Sequence, residues 1–83
     1  MEIVGDMLVA IQNKGGKIKP THLMYKANLS YAQLKIYLDE LVEKEFVTQT
    51  ANNNNTYIII TDKGDKFVQK LGEMRQFEKS FGF

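Results

Sequence analysis

The chain has 83 residues and a formal net charge of only +1 at pH 7. A chain of this length forms a single small domain that buries about 60% of the surface its unfolded form exposes. It contains no cysteine and only one histidine, His22, so we exclude disulfides and cysteine- or histidine-built metal sites and expect no cofactor. The amino terminus lacks a basic segment with a long apolar run, and we expect a cytoplasmic protein without a signal peptide or membrane span.

The charges are unevenly distributed along the chain. Residues 39–45 contain four acids and one lysine, whereas residues 7–38 contain five lysines and no acid. These five are Lys14, Lys17, Lys19, Lys26 and Lys35. Such segregation predicts positive potential on the first half of the protein. The alternative is an accidental pattern of solvated charges.

The first predicted element is an amphipathic helix from Glu2 to about Asn13. Its apolar face consists of Ile3, Val4, Met7, Leu8 and Ile11. Gly15 and Gly16 end this helix. Because Pro20 pushes the residue before it into an extended conformation, we expect Ile18 to form a minimal strand.

Two short helices joined by a tight turn come next. The second helix begins at Pro20, and Asn28 follows it at a turn position that needs a left-handed backbone. Ser30 and Gln33 form a capping box that starts the third helix, which runs to about Glu45. The residues expected to face the core are Leu23, Met24, Tyr25, Ala27, Leu29, Leu34, Tyr37, Leu38, Leu41 and Val42. This pattern predicts a helix-turn-helix.

Two strands and a final helix complete the order. Segments 46–50 and 56–60 are rich in β-branched and aromatic residues and flank a polar hairpin tip at 52–55. Thr61 caps the last helix. The apolar stripe of that helix consists of Phe67, Leu71, Met74, Phe77 and Phe81, which we expect to form a dimer interface. The order predicts a mostly α fold with a small β-wing (α+β), a winged helix-turn-helix with an additional C-terminal helix. We divide it into a winged-helix domain, 1–61, and a dimerisation helix, 62–83.

The candidate base-reading residues lie at the start of the third helix, since the amino-terminal part of this helix enters the major groove in a helix-turn-helix. They are Ser30, Tyr31, Ala32, Gln33, Lys35 and Ile36. The Gln33 amide pairs with adenine in one interpretation and serves only the capping box in the other. Tyr31 either contacts phosphate or is buried against the second helix.

Further candidates flank the expected path of a phosphate strand. Before and within the second helix these are Lys17, Lys19, Thr21, His22 and Lys26, and at the wing tip they are Asn53 and Asn54. Lysine neutralises phosphate charge, whereas asparagine donates hydrogen bonds to it. In the alternative interpretation these residues are solvated surface groups and a plain hairpin tip. We expect Tyr57 to be a packing residue.

Three runs, EIVGDMLVAI, THLMYKANLSYAQLKIYLDELVEKEFV and YIIITDKGDKF, resemble the small dimeric archaeal winged-helix DNA-binding proteins and their ArnR-like relatives. The resemblance extends to about Val68, and its most specific part is MYKANLSYAQL. It implies binding to double-stranded DNA and a homodimer formed by an antiparallel coiled coil of the last helices.

The predicted function is therefore that of a transcriptional regulator or nucleoid-associated factor. The alternative is a winged-helix protein–protein interaction module without DNA binding, because fold does not dictate function. A regulator that binds a small effector is a third possibility. The sequence shows no arrangement of Ser, His and an acidic residue typical of a catalytic triad, and no glycine-rich phosphate loop. We therefore do not expect an enzyme.

Overall fold

The computed structural model describes residues 2–53 and 55–80, with side chains described at all of these except 2, 52 and 77–80. In chain order the elements are α1 (Glu2–Asn13), β1 (Lys17–Ile18), α2 (Pro20–Lys26), α3 (Tyr31–Glu43), β2 (Val47–Asn52), β3 (Asn55–Ile60) and α4 (Asp62–Ser80). This order confirms the predicted mostly α fold with a small β-wing and an additional C-terminal helix. Within the described residues, no helix is both long and apolar enough to span a bilayer.

The turn between α2 and α3 has the predicted chemistry. Asn28 adopts φ 55°, in the left-handed region that asparagine tolerates well. The Gln33 backbone N–H donates to Ser30 Oγ at 3.2 Å, and the Ser30 N–H donates to Gln33 Oε1 at 3.0 Å. Both halves of the capping box are thus present, so local side chains determine where α3 begins.

The sheet has three antiparallel strands in the order β1, β3, β2. Ile18 of β1 lies opposite Ile58, and Val47 of β2 lies opposite Ile60. The hairpin that we call the wing consists of β2 and β3, and Asn52 pairs with Asn55 at its end. Its tip is therefore narrower than the predicted loop, because pairing continues into the asparagine run.

The core draws side chains from α1, α2, α3 and all three strands. Its buried members are Val4, Met7, Leu8, Ile11, Ile18, Leu23, Leu34, Leu38, Leu41, Phe46, Val47 and Ile58. Three predicted core residues are instead exposed: Ile3 by 38%, Tyr25 by 74% and Val42 by 39%. Tyr25 follows Leu23 by two helical positions, which places it on the opposite side of α2. Ile3 lies about 100° around α1 from Val4, at the edge of the buried stripe.

The first half of α4 packs onto this same core. The rings of Phe46 and Phe67 stack with centroids 4.6 Å apart. Gly64 lies directly against the Phe46 carbonyl, and a Cβ at Gly5 of α1 would be 2.9 Å from the Leu71 Cδ1. Thus α4 approaches α1 closely where a glycine leaves space. Phe67 and Leu71, which we predicted to be interface residues, are half-buried against their own chain.

Candidate nucleic-acid interface

The amino-terminal half of α3 presents a continuous exposed surface. All six predicted base-reading residues are exposed, with Tyr31 at 73% and Ile36 at 66%. Between them, Leu34 is only 3% exposed and anchors the helix to the core. Of the two interpretations of Tyr31, the structure therefore supports the outward-facing one. The exposed residues of α3 are thus those from which the sequence predicts base contacts.

Gln33 is exposed, yet its amide is already partly engaged. Its Oε1 accepts the Ser30 backbone N–H at 3.0 Å. A bidentate contact with adenine needs both the amide oxygen and the amide nitrogen. Oε1 keeps a second lone pair for this contact, and Ser30 Oγ accepts from the Gln33 backbone rather than from its side chain, so the contact is compatible with the cap. With the cap intact, the amide still offers two N–H donors and one acceptor site.

A groove separates α3 from the wing. Its volume is about 350 Å³, and it is lined by Pro20, Tyr31, Leu34, Lys35, Leu38, Asp39, Gln49 and Thr56. Two of these, Tyr31 and Lys35, were predicted site residues. Gln49 and Thr56, on the two strands of the wing, were not. The groove therefore lies between the exposed face of α3 and one face of the wing.

Two lysines lie on the outer face of the sheet, opposite the face that borders the groove. Ile18 is 2% exposed and faces the core, so its neighbours Lys17 and Lys19 face outward. The Lys17 Nζ lies 4.2 Å from the centroid of the Tyr57 ring, and the Lys19 Nζ lies 6.0 Å from it. Tyr57 is half-buried, in keeping with the predicted packing role. Its contact with two lysines was not predicted.

The groove and the lysine pair are neighbours in the chain but open to opposite faces of the sheet. Lys19 directly precedes Pro20, and Tyr57 directly follows Thr56; both Pro20 and Thr56 line the groove. Because successive strand residues point to opposite faces, Thr56 shares the face of the buried Ile58, whereas the lysine pair lies on the outer face, beside the edge strand β1. We call Lys35, Lys19 and Lys17 together the basic strip.

Other residues predicted to contact the phosphate backbone of DNA lie at the two ends of α2. Thr21 and His22 are exposed in the first turn of α2, beside the groove residue Pro20. Lys26 is at the other end of α2, about 9 Å along the helix axis. There it lines a second cavity of about 270 Å³ with Asp6, Val9, Ala10, Asn13 and Lys14. The structure thus groups Lys26 with α1 rather than with the basic strip.

At the wing tip, Asn53 is exposed and adopts φ 51°. Asn54 lies outside the described residues. The opposite end of α3 is acidic, and there Lys44 Nζ pairs with Glu40 Oε1 at 2.9 Å. The first half of α3 thus carries one cation, Lys35, whereas its second half carries Asp39, Glu40 and Glu43.

The predicted interface on α4 is divided by the structure. Phe67 and Leu71 pack inward, whereas Met74 is 60% exposed. The Phe77 side chain and Phe81 lie outside the described residues. The exposed apolar part of α4 thus begins beyond the contact with α1.

A family model described as winged helix-turn-helix matches residues 1–79. An uncharacterized protein of Methanocaldococcus jannaschii is 32% identical over 72 residues, which cover 87% of this chain and 31% of that protein. The chain therefore spans about a third of the length of this curated relative.

Solved structures show the same fold. Sso10a-2, a DNA-binding protein from Sulfolobus solfataricus, is similar with a TM-score of 0.76 and 23% identity, covering 94% of this chain and 82% of that one. A winged-helix DNA-binding protein from STIV has a TM-score of 0.78 and 18% identity, covering 90% and 86%. The family match covers nearly the whole chain. This protein belongs to the winged helix-turn-helix family.

Proposed function

We propose that this protein binds double-stranded DNA as a transcriptional regulator or nucleoid-associated factor. The observation that carries the proposal is the exposed first half of α3, whose Lys35 lines the groove beside the wing. Lys17 and Lys19 of the basic strip add two exposed cations at the edge of the sheet. Family membership and the similarity to Sso10a-2, named a DNA-binding protein, support it. In this arrangement α3 lies in the major groove, and one phosphate strand follows the groove between α3 and the wing.

The exposed residues of α3 supply contacts of two kinds. Lys35 donates to guanine or neutralises a phosphate, while the apolar Ala32 and Ile36 are suited to contact thymine methyl groups. The exposed amide of Gln33 adds donors at Nε2 and the second lone pair of Oε1 without disturbing the helix cap. These are few contacts for direct base reading. We therefore expect modest sequence discrimination.

The phosphate contacts come from several elements. The proposed set is Lys17, Lys19, Thr21, His22, Ser30, Tyr31, Asn53 and Asn54, with Lys26 as an outlying member. Each phosphate neutralised by a lysine changes log K by about −0.9 per unit of log[salt]. Binding should therefore depend strongly on salt even though the net charge of the protein is only +1.

The test uses fluorescence anisotropy with a random-sequence duplex over a series of salt concentrations. Lys35→Glu should weaken binding by more than tenfold, because it replaces attraction to the duplex with repulsion. Lys66→Glu makes the same charge change at an exposed position of α4 and serves as the control. Equal losses in the two variants would remove α3 from the interface. Recovery of enriched sequences from the duplex pool then tests specificity.

We further propose that the protein is a homodimer formed through α4. The helix has 19 residues and is about 28 Å long. Its first half is covered by α1 and the core, whereas Met74 is exposed and is proposed to pair with a second copy, together with Phe77 and Phe81. A dimer of this kind sets two α3 helices one DNA turn apart, about 34 Å.

Sedimentation equilibrium at micromolar concentration tests the assembly. The expected mass is twice the 9.5 kDa of one chain, and Met74→Glu should shift it toward a monomer. Gln69→Glu adds a charge at an exposed position on the same helix and is the matched control. A wild-type mass equal to that of one chain would contradict the dimer proposal. It would leave the proposal of DNA binding standing for the monomer.

A protein partner is the alternative function. Ile36 is 66% exposed and is followed on α3 by Asp39, Glu40 and Glu43, which together suit a basic, apolar peptide. The wing carries no lysine or arginine between Val47 and Ile60. Folded wild-type protein that binds no duplex at low salt would favour this alternative.

A further inference from the structure

We propose that Tyr57 is the positioning residue of a phosphate site, in which its ring holds the ammonium groups of Lys17 and Lys19 toward one DNA strand. The inference rests on the proposed function, because the phosphates are those of bound DNA. It assigns a role to a residue whose position in the chain predicts only packing.

Strand alternation brings the three side chains to one face. Ile58 is fully buried, so its neighbour Tyr57 points to the outer face of the sheet. Ile18 is buried opposite Ile58, so Lys17 and Lys19 point to the same outer face. The antiparallel register then sets Lys19 across from Tyr57 and Lys17 diagonal to it.

The distances fit a ring that attracts both cations. The Nζ of Lys17 is 4.2 Å from the ring centroid, and that of Lys19 is 6.0 Å from it. Both values fall within the range of about 6 Å over which an aromatic face attracts an ammonium group. The ring offsets the repulsion between the two ammonium groups. Each ammonium group still directs N–H donors away from the ring, where a phosphate oxygen accepts them.

The ring also reduces the cost of ordering these side chains. A free lysine loses much rotamer freedom when it binds a phosphate. Tyr57 is half-buried in the central strand, and Lys19 is extended at φ −78° and ψ 146° because Pro20 follows it. Both lysines are therefore placed before DNA arrives, which favours binding.

The position of the site agrees with its proposed ligand. Thr56 and Pro20, which line the groove beside α3, are the chain neighbours of Tyr57 and Lys19. Strand alternation turns the lysine pair to the opposite face of the sheet, so a phosphate strand that lies along the groove reaches the pair around the edge strand β1. The site thus extends the footprint of the protein along the backbone without reading bases.

The decisive experiment compares Tyr57→Leu with Tyr57→Phe in salt-dependent binding to a random duplex. Phenylalanine keeps the aromatic face and should keep the wild-type slope. Leucine removes it and should reduce the magnitude of the slope by about 0.9 for one lost phosphate contact, or about 1.8 for two. Tyr25→Leu, at a 74% exposed tyrosine on the outer side of α2, is the control and should leave the slope unchanged.

A second readout needs no DNA. The ring current of an aromatic side chain shifts protons that lie above its face upfield. In NMR spectra, the signal of the Lys17 ε-methylene protons should therefore be shifted upfield in the wild type and in Tyr57→Phe. It should return to the random-coil position in Tyr57→Leu. Circular dichroism and thermal melting establish that each variant is folded. If Tyr57→Leu does not fold, Lys17→Gln provides the test and should reduce the slope by about 0.9.

Three results would overturn the inference and leave the proposed function intact. They are a wild-type slope in folded Tyr57→Leu, a Tyr57→Phe slope equal to that of Tyr57→Leu, and an unshifted Lys17 signal in the wild type. Failure of the wild type to bind any duplex would instead overturn the proposed function, and the inference with it.

Discussion

Phe46 and Phe67 stack with ring centroids 4.6 Å apart and an angle of 25° between their planes. Phe46 lies between α3 and the wing, and Phe67 lies in the first half of α4. The pair therefore joins the helix-turn-helix to the final helix within one chain. An aromatic pair of this kind contributes about 0.5–1.5 kcal/mol beyond the area it buries.

The first prediction separates packing from assembly on α4. Phe67→Ala should lower the free energy of unfolding of the chain itself by about 2 kcal/mol, since a half-buried ring loses part of the 3–5 typical of full burial. Met74→Ala should change it by less than about 0.5 kcal/mol per folded chain. Urea denaturation at two protein concentrations measures both. An effect of Phe67→Ala that disappears at the lower concentration would identify Phe67 as an interface residue instead.

The second prediction uses the same substitution at two glycines of α4. Gly64→Ala places a methyl group against the Phe46 carbonyl and 2.8 Å from Ile60 Cγ1, so it should destabilise the protein by more than about 2 kcal/mol. Gly72→Ala meets no atom within 4 Å and should stabilise the helix by up to about 1 kcal/mol. Thermal melting gives both values. Similar melting temperatures for the two variants would contradict the close approach at Gly64.

The third prediction concerns the start of α3. Ser30→Ala removes the acceptor for the Gln33 backbone N–H and should lower stability by about 1 kcal/mol. Ser30→Asp keeps an acceptor at the cap and should restore stability, while its negative charge should weaken DNA binding. Chemical denaturation and anisotropy report the two effects separately. Loss of stability in both variants would show that the hydroxyl acts in some other way than as a cap.

The fourth prediction concerns the acid in the groove. Asp39 lies beside Lys35 in the groove between α3 and the wing. Asp39→Asn removes a charge that repels the phosphate strand and should increase affinity for a random duplex by about fivefold, equivalent to about 1 kcal/mol. Glu43→Gln, farther along α3, should have a smaller effect. Equal gains in the two variants would show that only net charge matters.

Local chemistry explains how much of the fold was predictable. Asn28, Ser30 and Gln33 lie within six residues of one another, so the turn and the start of α3 could be located from the sequence. Tyr25 was predicted wrongly because two helical positions from Leu23 place it outside, and aromatic character alone did not reveal that. Glu45 has a left-handed backbone, with φ 63°. This conformation could not be predicted, because the position is occupied by neither glycine nor asparagine.

The candidate site was less predictable, because its parts come from distant segments. Tyr57 meets Lys17 only through pairing of β1 with β3, and periodicity does not show which strands pair. The apolar stripe that includes Phe67 and Leu71 could likewise be recognised in the sequence, but its partner could not. Whether their own chain or a second copy covers that stripe depends on where α4 crosses α1, at Gly5.

The capping box at the start of α3 has a consequence for the Gln33 side chain itself. Because the Ser30 N–H donates to Gln33 Oε1, the amide holds one orientation before any ligand arrives. A side chain that is already ordered loses little rotamer freedom when it forms a further hydrogen bond. On the proposed function, the helix cap would thus also lower the entropic cost of a base contact by Gln33.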